Sequence, residues 1–333
     1  MPPALQGLVT IILGVGGCIG YFYFSNLILD KVIFPAKGPN IGRNINRANL
    51  IRPWLFLFPA FFALSLYLAY PVVETLRLSF IDRDAGNSFV GFDNYAQMMS
   101  EPKFWEALRN NFLWLLIVPA ASTAFGLLAA QLTDRIKWGN LAKSLIFMPM
   151  AISFVGAGVI WKLVYETRPA DAEQIGVLNA IYMALGGVEP QTWLTTPFWN
   201  SFFLMIVLIW IQTGFAMVIL SAAIRGIPED TIEAAVIDGA NPFQIFFKIK
   251  VPQIMGTIVV VWTTITLVVL KVFDIVFAMT NGQWETQVLA NYMYDKLFRT
   301  LDWGVGSASA MVIMLLVTPI LIWNVRNARK EMK

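Results

Sequence analysis

Lys271 and Asp274 stand three residues apart inside a long apolar stretch, the spacing that puts two side chains on one helix face and lets a cation and a carboxylate pair. Two readings are open for them. They line a polar path where water or hydroxyl groups satisfy the charges, or they form a structural ion pair near the outer boundary of a span. Gln212, followed by Thr213 and Gly214, sits in the middle of another apolar run. Its amide suits either a passing hydroxyl or a bond to a neighbouring helix. None of this is catalytic chemistry. The chain has no histidine, which removes the usual general base and most zinc, haem and copper sites. Its one cysteine, Cys18, lies in an apolar run, excludes an intrachain disulfide and reads as packing. No GxxxxGK[ST] phosphate loop occurs, so this chain by itself does not hold ATP in that manner. No catalytic residue, metal ligand or cofactor of its own is expected.

The second chemistry-bearing segment is the polar loop 225–252, lodged between two apolar runs. Pro228 is pre-set for a first helical position, and Glu229, Asp230 and Glu233 follow near the positive end of that helix. Gly239 ends the helix where a left-handed backbone is needed. Asn241 supplies a cap oxygen, Pro242 restarts the helix, and Phe243, Phe246 and Phe247 form its apolar side. Two short helices with a break between them make a docking surface for something outside the membrane.

The elements that must position these residues are membrane spans. The chain is 57% hydrophobic and 14% charged, well below the roughly 25% charge of a soluble domain. Stretches of about 20 apolar residues occur near Leu8–Leu29, Pro53–Val73, Phe112–Leu132, Ser144–Val164, Ser201–Ile224, Gly256–Met279 and Gly306–Trp323. With the Glu233 loop inside, alternation places 15 Lys and Arg in the cytoplasmic pieces and 7 outside, against 7 and 13 acids. That is the positive-inside bias. It puts the N-terminus outside and the C-terminus in the cytoplasm. Met1–Gly7 is uncharged, so the first stretch reads as a retained span, with a six-span protein and a removed leader as the alternative. Small residues (Gly14, Gly16, Gly17 and Gly20 in the first span, Gly156 and Gly158 in the fourth) allow close helix approach. A net charge of +3 gives no reason to invoke nucleic acid.

Glu233-Ala234-Ala235, Gly239, Ile249, Val251 and Pro252 resemble the EAA loop of permease subunits of binding-protein-dependent ABC importers. The family pattern is EAA, three residues, Gly, nine residues, Ile, any residue, Leu, Pro; only Val251, where Leu is usual, departs from it. The outer segments resemble the maltose-type sugar permease branch. Gly176, Leu178 and Asn179 match a Gly-x-Leu-Asn start, and Trp193-Leu194 a Trp-Leu before the next span. Phe273-Asp274, Thr280-Asn281-Gly282, Thr286, Tyr292, Tyr294 and 304–308 are similar to FD…TNGGP…T…Y.Y…G.GSA, with Gln283-Trp284 standing where Gly-Pro is common. Residues 90–95, Val-Gly-Phe-Asp-Asn-Tyr, are close to xGLxNY.

The resemblance covers about Pro53 to Trp323 and implies an all-α integral membrane fold: a six-helix ABC-importer permease core with one extra N-terminal transmembrane helix. Residues 1–52 would be that helix and its cytoplasmic connection, and 53–333 the permease domain. It implies a subunit of a bacterial inner-membrane importer for a carbohydrate, an oligosaccharide or glucoside. A second permease subunit, two ATPase subunits carrying ATP and Mg, and an extracytoplasmic substrate-binding protein would be its partners. Glu233, Ala234, Ala235, Gly239 and Pro252 would couple to the ATPase. The aromatic and net acidic outer loops, with Tyr95, Trp105, Trp193, Trp199, Trp284 and Trp303, suit a guest presented from outside, or simply mark the membrane interface. A secondary transporter would need coupling-ion carboxylates within the membrane, for which Asp274 alone is thin. A membrane enzyme would need convergent catalytic groups, and the sequence offers none.

Overall fold

The computed structural model describes residues 2–35, 37, 41–83, 86–134 and 136–331; the side chains of 324, 325 and 327–331 lie outside the description, as do Arg135 and Lys333 from the cytoplasmic charge count. The chain divides into two units, Met1–Glu74 and Thr75–Lys333. The first holds α1 (Pro3–Ile28), α2 (Ile41–Leu64) and the start of α3 (Tyr70–Leu78), with π-helical turns at Leu29–Ile33 and Ser65–Ala69. Tyr21 Oη donates to the Leu55 carbonyl at 2.9 Å, Phe22 stacks on Phe56, and Arg52 pairs with Asp30 at 2.6 Å. α2 runs unbroken from Ile41 through residue 52, so that part of the connection is helical and continuous with the second span. A Cβ at Gly14, Gly16 or Gly17 would meet nothing within 4 Å, so the close approach expected of these glycines is not made among the described residues.

The second unit opens with a two-residue hairpin, β1 (Ile81–Asp82) and β2 (Ser88–Phe89), in which Ile81 faces Phe89. Then follow α4 (Asp93–Ser100), α5 (Pro102–Thr133), α6 (Gly139–Phe147), α7 (Phe154–Val164), α8 (Val177–Ala184), α9 (Trp199–Arg225) and α10 (Glu229–Ile237). α11 (Pro242–Gln244) continues as a π-helical turn to Lys250, and α12 (Val251–Gln253), α13 (Met255–Val269), α14 (Asp274–Met279), α15 (Leu289–Tyr294) and α16 (Trp303–Glu331) complete the chain. Helices dominate because a chain this apolar must satisfy its backbone groups within each segment.

Among the described residues, five helices are long and apolar enough to cross a membrane, or up to seven if each bent pair counts as one span. The core is the crossing of α5 and α9, with Trp114, Val118, Leu204, Leu208, Met217 and Leu220 buried. A side chain at Gly126 would strike Ala216 Cβ and the Met217 amide at 2.9 Å, and one at Gly214 the Ile146 carbonyl at 2.7 Å. Missing side chains let these backbones touch. Gly158 serves α7 in the same way against Ala278 and Met279 of α14, each 3.2 Å from its virtual Cβ.

Two of the seven expected spans are not straight. Ser144–Val164 bends by 106° between α6 and α7. Pro149 lacks an amide hydrogen, Ile152 and Ser153 are extended, and the Ser153 hydroxyl recaps the chain by accepting from Gly156 N at 3.1 Å. Gly256–Met279 stops at Val269 and restarts at Asp274. A hydropathy window averages across such breaks and does not register them.

Candidate functional site

The polar loop 225–252 folds as its residue types demand. α10 starts at Glu229 with Pro228 in the cap position, one residue earlier than a first helical residue. Gly239 has φ +79, and two reverse bonds close the helix: Gly239 N to the Val236 carbonyl and Ala240 N to the Ala235 carbonyl, both 3.0 Å. This is a Schellman closure, which needs the left-handed residue that glycine supplies. Asn241 and Gln244 then form a reciprocal cap, each side-chain oxygen 2.9 Å from the other's amide nitrogen.

Exposure sorts the loop's residues. Glu233, Ala234, Gly239 and Pro252 are on the surface, whereas Ala235 is buried. Of the apolar side expected for the second helix, Phe246 is half-buried but Phe243 is 77% and Phe247 63% exposed, and the buried face of that turn is Ile245 and Lys250. The π-helical winding from Ile245 to Lys250 shifts the register that a 3.6-residue period assigns. Val236 and Ile237 are also exposed, so the loop carries four uncovered apolar side chains.

The loop is fastened to the C-terminal end of α5. Asp134 accepts from Arg225 Nε at 2.7 Å and from Lys143 Nζ at 3.1 Å, and Lys143 also donates to Ser221 Oγ at 2.6 Å. Burial alone would raise the carboxyl of Asp134, but the bonds from Arg225 and Lys143 outweigh it and hold Asp134 below the usual carboxylate range. Lys250, leaving the loop, is buried and donates to Gln131 Oε1 at 3.0 Å.

Lys271 and Asp274 do not share a helix face. They flank the break between α13 and α14, with Asp274 in the first turn of α14, and among the described residues they form no ion pair with each other. Both border a crevice of about 30 Å³ with Phe154 and Leu208. Gln212 lies one turn beyond Leu208 on α9 and is buried; its amide makes no hydrogen bond among the described residues. Thr213, Thr264 and Thr266 instead bond carbonyls four residues back in their own helices.

On the opposite side, Asn179 of the Gly-x-Leu-Asn match is fully buried. It donates to the Gln191 carbonyl at 3.0 Å, accepts from Gln191 N at 2.9 Å and reaches Thr167 Oγ1 at 3.0 Å. Gly176 lies against the Glu166 backbone, where a Cβ has no room. Beside it, Asn200 donates to the Trp284 carbonyl at 2.6 Å, and Asn110 to the carbonyls of Glu285 and Gln287, each at 2.8 Å. Trp303 lies under Arg83, 4.5 Å from ring centre to guanidinium. Sequence reasoning missed Asp134, Lys143, Lys250, Asn110 and Asn200. The available signal was their type, since amides and charges at the ends of apolar helices must find partners on folding.

Residues 122–331 match the family model described as "Binding-protein-dependent transport system inner membrane component". The chain is 64% identical to the alpha-glucoside transport system permease protein AglF of Rhizobium meliloti (strain 1021), over 99% of both chains. It is 49% identical to the osmoprotective compounds uptake permease protein GgtC of Synechocystis sp., over 84% of this chain and 99% of that one. Its fold is similar to a chain in the crystal structure of a bacterial ABC transporter involved in the import of the acidic polysaccharide alginate, with TM-score 0.73 and 20% identity, covering 88% of this chain and 99% of that one.

Proposed function

Since this chain belongs to the family of inner-membrane components of binding-protein-dependent transport systems, we propose that it forms half of the translocation pathway of an ATP-driven importer for a neutral glucoside or oligosaccharide. It is a multi-pass membrane permease subunit, and ATP hydrolysis belongs to separate ATPase subunits. The observation that carries the reading is the cytoplasmic loop: a Schellman-closed helix, a capped restart, and Val236, Ile237, Phe243 and Phe247 uncovered on its surface.

In the proposed cycle, two ATPase subunits holding ATP and Mg close on this loop and on its counterpart in a second permease subunit. Glu233, Ala234 and Gly239 present the contact; Ala235 and Pro252 hold the helices that carry it. An extracytoplasmic binding protein delivers the sugar to the outer loops. The reading places the N-terminus outside and the C-terminus in the cytoplasm, with 1–52 as an added helix and connection and 53–333 as the permease domain. Gln212, Lys271 and Asp274 line the route, Gln212 with an amide free for a hydroxyl and Asp274 at a helix start. The alpha-glucoside permease supports the substrate class by its identity over the full length.

The test is uptake of labelled α-glucoside in a strain lacking this chain and again after its return. Restored uptake that also requires a partner carrying a phosphate loop supports the reading. Uptake indifferent to this chain removes it.

A further inference from the structure

Gln283-Trp284, where the resembling permeases carry Gly-Pro, has no part in the cytoplasmic loop or the pathway residues above. Trp284 lies at φ +53 and Glu285 at φ +61, a region that bulky residues enter only when their surroundings force them. The surroundings are Asn200 and Asn110, both buried, whose amides hold the carbonyls of Trp284, Glu285 and Gln287. The result is a tryptophan 45% exposed in the lining of a cavity of about 790 Å³. A tryptophan that merely marked the membrane interface would need no such backbone.

The facing wall is equally fixed. Asn179 ties residue 167 to residue 191, so the segments around Glu166 and Thr192 stand in set positions. Charge in the lining is balanced, Lys162 and Arg168 against Glu166 and Glu189, and Arg168 already pairs with Glu166 at 3.4 Å. A cavity of this size falls within the roughly 300–1,000 Å³ of small-molecule sites. An aromatic face, carboxylates, a threonine hydroxyl and no net charge suit a ring with an apolar C–H face and hydroxyl edges.

We propose that this outer cavity is a saccharide subsite, with the Trp284 indole as its stacking platform and Glu189 and Thr192 as hydroxyl partners, occupied before the sugar enters the membrane path. The subsite rests on the sugar-importer reading given above. Its walls are pre-formed, so little ordering is lost when the ring arrives.

The test uses the assembled transporter, with its ATPase subunits and binding protein, in proteoliposomes. The probe is a photoreactive aryl α-glucoside, with labelling mapped along this chain. Wild type should be labelled between Lys271 and Lys296. Trp284→Ala should lose labelling roughly tenfold while Trp284→Phe keeps most of it, the scale expected for one aromatic contact. Uptake should fall in parallel in Trp284→Ala, with ATP hydrolysis stimulated by loaded binding protein retained. Unchanged labelling in Trp284→Ala overturns the subsite while wild-type uptake leaves the importer reading standing. Equal loss of affinity for loaded and empty binding protein also overturns it, and assigns Trp284 to protein docking. Failure of the wild type to take up glucoside removes the importer reading and the subsite with it.

Discussion

Lys250, on the helix that leaves the 225–252 loop, donates to Gln131 in the last turn of α5 at 3.0 Å. Arg225, at the loop's entrance, reaches Asp134 three residues further along the same chain end at 2.7 Å. Entrance and exit of the loop are thus tied to one helix terminus, and α5 is the helix most closely crossed by α9 in the core. A displacement of the loop therefore has a direct mechanical route into the membrane.

Lys250→Met should lower the amount of sugar moved per ATP hydrolysed by a few-fold, and Lys250→Arg should recover part of it, because loss of a buried hydrogen bond to a charged group costs about 1.5–3 kcal/mol. Uptake and ATP hydrolysis measured on the same proteoliposomes give the ratio. A fall in both, in proportion to the amount of folded complex, would mean that the bond only stabilises.

Gly239→Val should abolish transport while membrane insertion persists. A β-branched residue at φ +79 carries strain of about 1–3 kcal/mol, and opening the Schellman closure changes the angle between the two loop helices. Wild-type uptake in this variant would refute the assignment of the loop.

Asp134 gives a pH dependence. Its folded-state carboxyl titrates below the ordinary carboxylate range, so its pairing stabilises the protein fully above that range and the contribution is lost as pH falls through the depressed value. Asp134→Asn should lower Tm at pH 7 by a few degrees, about 1–2 kcal/mol for a largely shielded, doubly bonded carboxylate. The gap from wild type should narrow below about pH 4. A gap that widens on acidification would reverse the sign of the linkage.

Lys271→Ala and Asp274→Ala should have additive effects on uptake per assembled complex, since the two residues flank a helix break and form no ion pair. Rescue in the double variant would restore the structural pair that their spacing suggested.

A reporter active only outside the cytoplasm should be active when fused at Gly186 and silent when fused at Asn140 or after Lys333. Activity at Asn140 would overturn the orientation drawn from the charge count.

Much of the 225–252 loop was legible in the sequence because its signals are local. Gly239, Asn241 and Pro242 each constrain the backbone at their own position, and the caps follow whatever lies beyond. The loop's buried face was not legible, since the π-helical turn after Ile245 depends on what packs against it. The same holds for Lys271 and Asp274, whose spacing describes one helix only if the helix continues.

The sequence by itself determined that the chain lives in a bilayer, where its apolar stretches fall, and which loop carries two short helices with a capped break. Apolar run length, charge placement and turn chemistry act on neighbouring residues and are written in their order. Only the tertiary structure decided where the spans break, that both ends of the loop bind the end of α5, and that Trp284 lines a cavity with residues 162–170 and 189–195. Those outcomes rest on partners far apart in the chain: Lys250 with Gln131, Asn200 with Trp284, Asn110 with Glu285. A buried amide or ammonium must find its partner somewhere, and folding alone settles which one.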